Sequence, residues 1–352
     1  MFPRARAAIT YLVEDGRYDY IQTGSLISIK KHVEDIVIPS EEVQIPLYPM
    51  DFEEFLWALG AGGIMEIIKD SFKKRKPLGE ALHRKIINYF RQYLIVGGMP
   101  QAVNMYVQTK DFSKVDRQKR TILALYRNDI VKHAKRYEMR VAQIFDDIPA
   151  QLKSSNRKFQ PSSLEKGARM RDYEDALFWL NDAKIANLCY NTTSPDLGLK
   201  LNMERTTLKC YMADTGLLLS HTFDERGITN EQIYKKILFD KLEVNLGMIV
   251  ENIVAQMLTS RGHSLYFYSN PDREDATSRM EIDFLISKAT ITNRHNISPL
   301  EVKSSQNYTL TSLKKFKTKF AQQLDTPYVL HMKDLKEQDG IVYLPLYMIP
   351  LL

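Results

Sequence analysis

Two apolar runs late in the chain carry charges that any fold must accommodate. RMEIDFLIS spans 279–287 and PLEVKSS spans 299–305. Both have the length and composition of strands, and in a strand residues i and i+2 project from one face. Glu301 and Lys303 therefore project together. In the first run Glu281 and Asp283 share a face, while Met280, Ile282, Phe284 and Ile286 take the other. Paired as neighbouring strands, the two runs collect acids and a lysine beside a hydrophobic core. Such a cluster is costly unless opposite charge meets it, from a divalent metal or from other side chains.

The 352 residues are enough for two or three domains. With 44% hydrophobic and 26% charged residues, the chain has the balance of a globular protein. No apolar run approaches the roughly 18–20 residues of a membrane-spanning helix, so no membrane role is expected. The N-terminal MFPRARAAITYLVEDG has no signal-peptide core. Two cysteines, Cys189 and Cys210, make no disulfide framework, which suits a reducing cytoplasm. The seven histidines are scattered, without HExxH or zinc-ligand spacing. A net charge of +6 permits nucleic-acid contact without demanding it. Its clusters are KKRK at 73–76 and LKKFKTK at 313–319. The second places Lys314, Lys315, Lys317 and Lys319 together as candidate phosphate contacts, although a charge run also serves as a solvated face.

Along the chain, ARAAITYLVEDG reads as a short helix ending at Gly16, and RYDYIQTGS as a strand running into a polar turn. VQIPLYPM is a second strand. This is α/β material that starts abruptly, so residues 1–50 read as the second half of a larger sheet domain. PMDFEEFLWALG opens a helical region with Asp51 as N-cap and Glu54 three residues on, a capping box. Helices broken at Gly97-Gly98 and Pro100 fill 51–137. RVAQIFDDIPAQL, PSSLEKGARM and RDYEDALFWLN then read as three helices, followed by a strand through CYN and a return strand LKCYMADTGLL. That order suits a winged helix over 138–225. The helix RDYEDALFWLN carries Asp172, Glu174, Asp175 and Asp182, which repel phosphate, so packing is the expected role of this unit. From 226 to 352 the pattern is helix, three strands, helix, strand, an α/β domain in its own right.

A metal-dependent phosphodiesterase needs carboxylates to hold Mg2+ and a cation to stabilise the charge developing on phosphoryl oxygens. Asp283, Glu301 and Lys303 supply that set, and Glu251, placed on the polar side of the preceding helix, is a fourth member. With Glu251 in VENIV, Asp283 in EIDF, and Glu301 and Lys303 in EVKS, the last 110 or so residues resemble the restriction-endonuclease-like superfamily, the PD-(D/E)xK fold. The resemblance implies catalysis by Glu251, Asp283, Glu301 and Lys303, with Mg2+ on Asp283 and Glu301. It also implies that the lysine-rich helix following Glu-x-Lys approaches the nucleic-acid backbone. The acid here is preceded by Glu281-Ile282 rather than proline. The alternative is a structural ion-pair network in a non-catalytic copy of the fold.

The phosphate loop GxxxxGK[ST] is absent. Yet RYDYIQTGSLISIKK, IPLYPMDFEEFL, GGMPQAV and CYMADTGLL resemble the later part of a bacterial and archaeal AAA-type ATPase family. Its members join a P-loop ATPase domain to a winged helix and a C-terminal domain of nuclease-like fold. The resemblance implies an α/β multidomain chain: a partial P-loop core over 1–50, a helical lid over 51–137, a winged helix over 138–225 and a restriction-endonuclease-like domain over 226–352. It implies that Thr23 or Ser25 senses the ATP γ-phosphate in a complete form, the bland reading being a plain strand-to-helix turn. The core would then be completed by a missing N-terminal half or another subunit. Two functions follow: Mg2+-dependent nucleic-acid cleavage, or an ATP-switched binding and regulatory protein whose nuclease-like domain only recognises a partner. Phosphoryl transfer depends on the missing loop and Mg2+ carboxylate. The purified chain is therefore expected to show no ATP turnover above background in a phosphate-release assay. Turnover that disappears with Thr23→Ala would contradict this.

Overall fold

The computed structural model describes residues 11–21, 43, 45–223, 234, 238, 246–272, 278–287, 295–305 and 307–352. Thr23 and Ser25 lie outside them. Residues 11–14 are helical, and from Phe52 on five helices follow: α1 (Phe52–Ala58), α2 (Gly63–Lys74), α3 (Glu80–Val96), α4 (Pro100–Thr109) and α5 (Phe112–His133). The capping box at α1 is present: Asp51 accepts from the Glu54 backbone N–H at 2.9 Å, and Glu54 accepts from the Asp51 N–H at 2.8 Å. α3 buries Ile86, Ile87, Phe90, Tyr93 and Leu94, and it stops at Gly97, whose φ of 81° only glycine adopts readily. Pro100 then starts α4 at a position where its missing N–H has no helical partner to lose.

Next come α6 (Glu138–Lys153), the single turn α7 (Pro161–Leu164) and α8 (Glu174–Asp182). They lead into the hairpin β1 (Ala186–Thr192) and β2 (Met203–Met212), then α9 (Thr215–Thr222). PSSLEKGARM thus contributes one helical turn rather than a full helix. The end of LKCYMADTGLL is also not strand. Asp214 accepts from the Leu217 N–H at 2.8 Å and caps α9, so the chain turns from β2 straight into a helix.

The remainder is α10 (Leu246–Ser260), β3 (Leu265–Asn270), β4 (Met280–Ser287), β5 (Ile297–Val302), α11 (Thr311–Lys319), β6 (Tyr328–His331), β7 (Lys336–Gln338), β8 (Ile341–Pro345) and a closing 3-10 turn at Leu346–Leu351. All eight strands form one mixed sheet in the order β2-β1-β3-β4-β5-β6-β8-β7. The hairpin is part of it, because β1 pairs in parallel with β3 through Cys189–Leu265 to Asn191–Phe267. The sheet therefore runs across the boundary expected near 225.

Each face of the sheet has its own core. One face carries Phe284, Ile286, Leu300, Leu330 and Leu344 against α10 and the helical body. The other carries Tyr268, Ile282, Leu285, Val329 and Tyr343 against Leu313, Phe316 and Phe320 of the α11 segment. Strict alternation along β4 would put Ile282 and Phe284 together, and the structure separates them. Tyr266 and Tyr268 of β3 pair with Leu285 and Ile282, so two steps of β3 face three of β4. This bulge sends Met280 and Ile282 to the α11 side and Phe284 and Ile286 to the helical side.

The GGMP and ADTGL motifs meet in the interior. Gly98 N–H donates to Asp214 at 2.6 Å, and Met50 N–H donates to the Gly98 carbonyl at 2.7 Å. A methyl on Gly98 would run into the Met50 carbonyl, and one on Gly216 into the Val96 carbonyl. These are backbone atoms rather than the far ends of flexible side chains, so they cannot move aside cheaply. Gly98→Ala and Gly216→Ala are each expected to cost roughly 1–3 kcal/mol or more, the usual penalty of overpacking. The measurement is a lower urea midpoint at unchanged slope. Gly63→Ala, where a methyl meets open space in a helix, is the neutral control.

Candidate functional site

Glu251, Asp283, Glu301 and Lys303 all border one charged cluster, with members the sequence did not point to. Its centre is Lys209 of β2, fully buried. Lys209 Nζ lies 3.0 Å from Glu251, 3.0 Å from Glu281 and 4.0 Å from Asp283. Glu251 also accepts from the Tyr211 hydroxyl and from Arg157. Arg157 comes from the loop between α6 and α7, which is tied to β2 where Phe159 N–H donates to the Leu208 carbonyl at 2.8 Å. From the same loop Lys158 reaches Ser269 at 2.7 Å and Glu281 at 3.6 Å.

Strand register explains how the acids converge. β4 and β5 are antiparallel, pairing Phe284 with Leu300, and the next step of that register sets Asp283 opposite Glu301. Asp283 accepts from the Val302 N–H at 2.7 Å. Glu301 takes Lys303 Nζ at 2.7 Å on one oxygen, and its other oxygen is buried without a partner. Lys303 stands 6.0 Å from the Tyr308 ring centre. Glu251 is not on a polar side of α10. It is 1% exposed, and the helix around it is buried from Met248 through Leu258.

The acids differ in electrostatic state. Burial alone would push the Glu251 carboxyl up. Lys209, Arg157 and the Tyr211 hydroxyl outweigh it and hold Glu251 below the ordinary carboxylate range. Asp283 goes the other way, pushed well up by burial and then by Glu251 and Glu301. Glu301 is also raised by burial, which Lys303 and Lys209 only partly offset. For Lys209, burial favours the neutral amine, but the surrounding carboxylates win and keep it charged. Four carboxylates thus stand among four cations: Glu251, Glu281, Asp283 and Glu301 with Lys209, Arg157, Lys158 and Lys303.

The sequence placed Asp283, Glu301 and Lys303 correctly in one neighbourhood but assigned the lysine's role to Lys303 alone. Lys209, Arg157, Lys158 and Tyr211 were missed. A lysine inside the apolar strand LKCYMA is the one local signal that could have flagged Lys209. Arg157 sits in the polar turn SSNRKF and gives no such signal. Cys189, on the Lys209 side of the hairpin, is a free, buried thiol, as is Cys210. Among the described residues, no group of three or more His, Cys, Asp and Glu side chains is arranged to hold a metal.

The α11 lysines sit beside this cluster. The backbone N–H of Glu281 reaches Ser312 Oγ of α11 at 3.5 Å. Leu313 and Phe316 face the sheet, and the lysines ring the remaining surface. Lys315 reaches the Arg279 carbonyl at 3.3 Å, Lys317 the Asp339 carbonyl at 3.2 Å and Lys319 the Tyr268 hydroxyl at 3.5 Å, while Lys314 is exposed. The other basic run behaves differently. Lys74 pairs with Asp70 at 2.8 Å, and the Arg75 guanidinium lies between the rings of Phe72 and Tyr328. No helix among the described residues is long and apolar enough to cross a membrane.

Comparison with known families divides the chain in two. Residues 87–229 match the model of a domain of unknown function (DUF8612), and residues 246–349 match that of a second domain of unknown function (DUF4143). No curated protein and no solved structure gives a significant match. The charged cluster straddles the two matches. Arg157, Lys158, Lys209 and Tyr211 fall in the first, and Glu251, Glu281, Asp283, Glu301 and Lys303 in the second.

The two kinds of acid should respond oppositely to neutralisation. Glu251→Gln removes the partner of the buried Lys209 and the half-buried Arg157 and is expected to cost on the order of 3–5 kcal/mol at pH 7. Asp283→Asn removes an under-compensated charge and keeps an acceptor for Val302, so it should be neutral or stabilising at pH 7. A raised carboxyl pKa begins to impose its penalty as pH rises past the unfolded value of about 3.9, imposes it in full above the folded value, and imposes none below the unfolded value. Any gain from Asp283→Asn should therefore fade as pH falls toward 4. Glu251, with a lowered pKa, contributes above its unfolded value of about 4.3, and that contribution is lost as pH falls through the folded value. Urea unfolding at pH 7 and near pH 4 reads all of these. A destabilised Asp283→Asn at pH 7 would contradict the assignment.

Proposed function

We propose that this chain is the binding and regulatory part of an ATP-switched protein, whose nuclease-like C-terminal unit grips a nucleic-acid backbone through α11 without cutting it. The observation that carries this reading is Lys209. Its ammonium stands among Glu251, Glu281 and Asp283, beside one of the two carboxylates, Asp283 and Glu301, that the resemblance assigns to Mg2+. A divalent ion does not fit beside it. Four carboxylates stand among four side-chain cations, so a metal would add two positive charges to a largely buried cluster that is already near balance in formal charge. The folding of the β1–β2 hairpin into the common sheet supports a packing role for the winged-helix region, since that hairpin is not free to enter a groove. The ATP switch rests on the family resemblance.

Cleavage is the second reading, and the partnerless Glu301 oxygen favours it, because that residue ligates metal in the superfamily. The two readings part in a paired assay. Fluorescence anisotropy should show salt-dependent duplex binding by the wild-type chain. Lys314→Glu with Lys317→Glu should weaken it and flatten the salt slope by about 2, near one unit per lost phosphate contact. Supercoiled plasmid held with Mg2+ or Mn2+ should stay intact. Metal-dependent nicking that Glu301→Gln abolishes would establish cleavage instead, and unchanged binding by the double variant would remove α11 from the interface.

A further inference from the structure

The pocket around Lys209 Nζ has dimensions that select its occupant. Oxygens of Glu251 and Glu281 lie at 3.0 Å each, and Asp283 at 4.0 Å. Charge-assisted N–H···O bonds fall at about 2.7–2.9 Å, close to what these carboxylates offer. Mg2+ takes its oxygens at about 2.0–2.1 Å in a near-regular octahedron, and even Ca2+ draws them to about 2.3–2.6 Å. Three acids set on a bulged strand and a packed helix would have to close by about 1 Å or more to serve Mg2+, and Glu251 and Glu281 by about half an ångström and Asp283 by well over 1 Å to serve Ca2+.

The remaining wall points the same way. The Phe267 ring centre is 4.9 Å from Nζ. An aromatic face attracts an ammonium but offers a metal no ligand oxygen. The other carboxylate oxygens are already engaged: Arg157 holds the second oxygen of Glu251, and the Val302 N–H the second oxygen of Asp283. What is left for an incoming ion is one oxygen from each acid, that of Glu251 shared with the Tyr211 hydroxyl, and a ring face, a set suited to a group with three N–H donors and one positive charge.

We infer that the acidic pocket between α10 and β4 is an organic-ammonium site whose resident is the Lys209 side chain, and that with this side chain cut back it takes a small primary alkylammonium ion in preference to Mg2+. The inference extends the non-catalytic reading by giving the pocket a ligand class of its own.

Lys209→Ala removes three methylenes and the ammonium, which n-propylammonium replaces atom for atom. The variant should be less stable than wild type in sodium chloride. n-Propylammonium chloride at equal ionic strength should raise its melting temperature in a saturable way. Tetramethylammonium, which has no N–H donor, and Mg2+ should not. Glu251→Gln added to Lys209→Ala should abolish the rescue. If the variant does not fold in sodium chloride, its recovery on refolding from urea in each salt is compared instead. Rescue by Mg2+ equal to or better than that by propylammonium would overturn the inference. So would equal effects of propylammonium and tetramethylammonium, or no recovery in any salt. Mg2+-dependent cutting by the wild-type chain would defeat the non-catalytic reading and leave the ammonium site standing. Mg2+ rescue of Lys209→Ala beside a non-cutting wild type would do the reverse.

Discussion

A buried lysine without a counter-charge costs several kcal/mol, and Lys209 is fully buried. Its partners are not its neighbours in sequence. Glu251 comes from α10, and Glu281 and Asp283 from β4. Lys209 sits on β2, inside the stretch that matches one family model, and all three acids sit inside the stretch that matches the other. The β1–β2 hairpin therefore cannot leave the sheet without stranding a charge on both sides of the break. That is why the two matched regions share one eight-stranded sheet rather than meeting as separate bodies.

α10 extends the same logic through the core. A helix buried on every side has no solvent face to fix its rotation, and only specific partners can do so. Glu251 provides one set. One residue on, Asn252 accepts from the Met212 N–H at 2.9 Å and donates to the Met212 carbonyl at 3.1 Å. One turn on, Gln256 accepts from Thr215 N–H at 2.8 Å and donates to the Tyr93 hydroxyl at 3.1 Å. Tyr93 in turn donates to the Met50 carbonyl at 2.7 Å. Three polar residues on one buried helix thus join the charged cluster to the glycine-lined knot where the helical region begins. Buried networks of this kind specify a unique packing when every member is satisfied.

Local elements were legible because their signals are local. Asp51 and Glu54 announced α1, and the apolar runs announced β3 to β6. The misses have physical causes. Asp214 heads an apolar segment as an N-cap does, but reading CYMADTGLL as one strand hid it. β7 and β8 are short segments near the C-terminus whose pairing depends on β6. The bulge in β4 leaves no mark in RMEIDFLIS, since its effect is to split an apolar set that alternation would keep together. Lys209 was beyond local reading for the strongest reason: its partners lie 42 or more residues along the chain, and a strand pattern cannot say which charge will meet which. Acidic and basic residues could be assigned to the right neighbourhood, but not to each other.

The pairing also bears on how a polyanion could approach. Asp283 and Glu301 are under-compensated, and in isolation they would repel phosphate from the side of the sheet where α11 displays Lys314, Lys315, Lys317 and Lys319. The helix carries no acid to balance those lysines. With Lys209, Arg157 and Lys158 set behind the acids and Lys303 on Glu301, the cluster as a whole is close to neutral. The field beyond it is then set by the lysines. An acidic centre filled by a permanent ammonium differs here from one filled by an exchangeable metal. Its charge does not depend on the free concentration of an ion, so the surface next to it keeps one sign under all metal conditions. In the proposed binding role that constancy is the advantage of building the cation into the chain. A nuclease gains from a metal that polarises water, whereas a module that only holds a backbone gains from a charge that is always present.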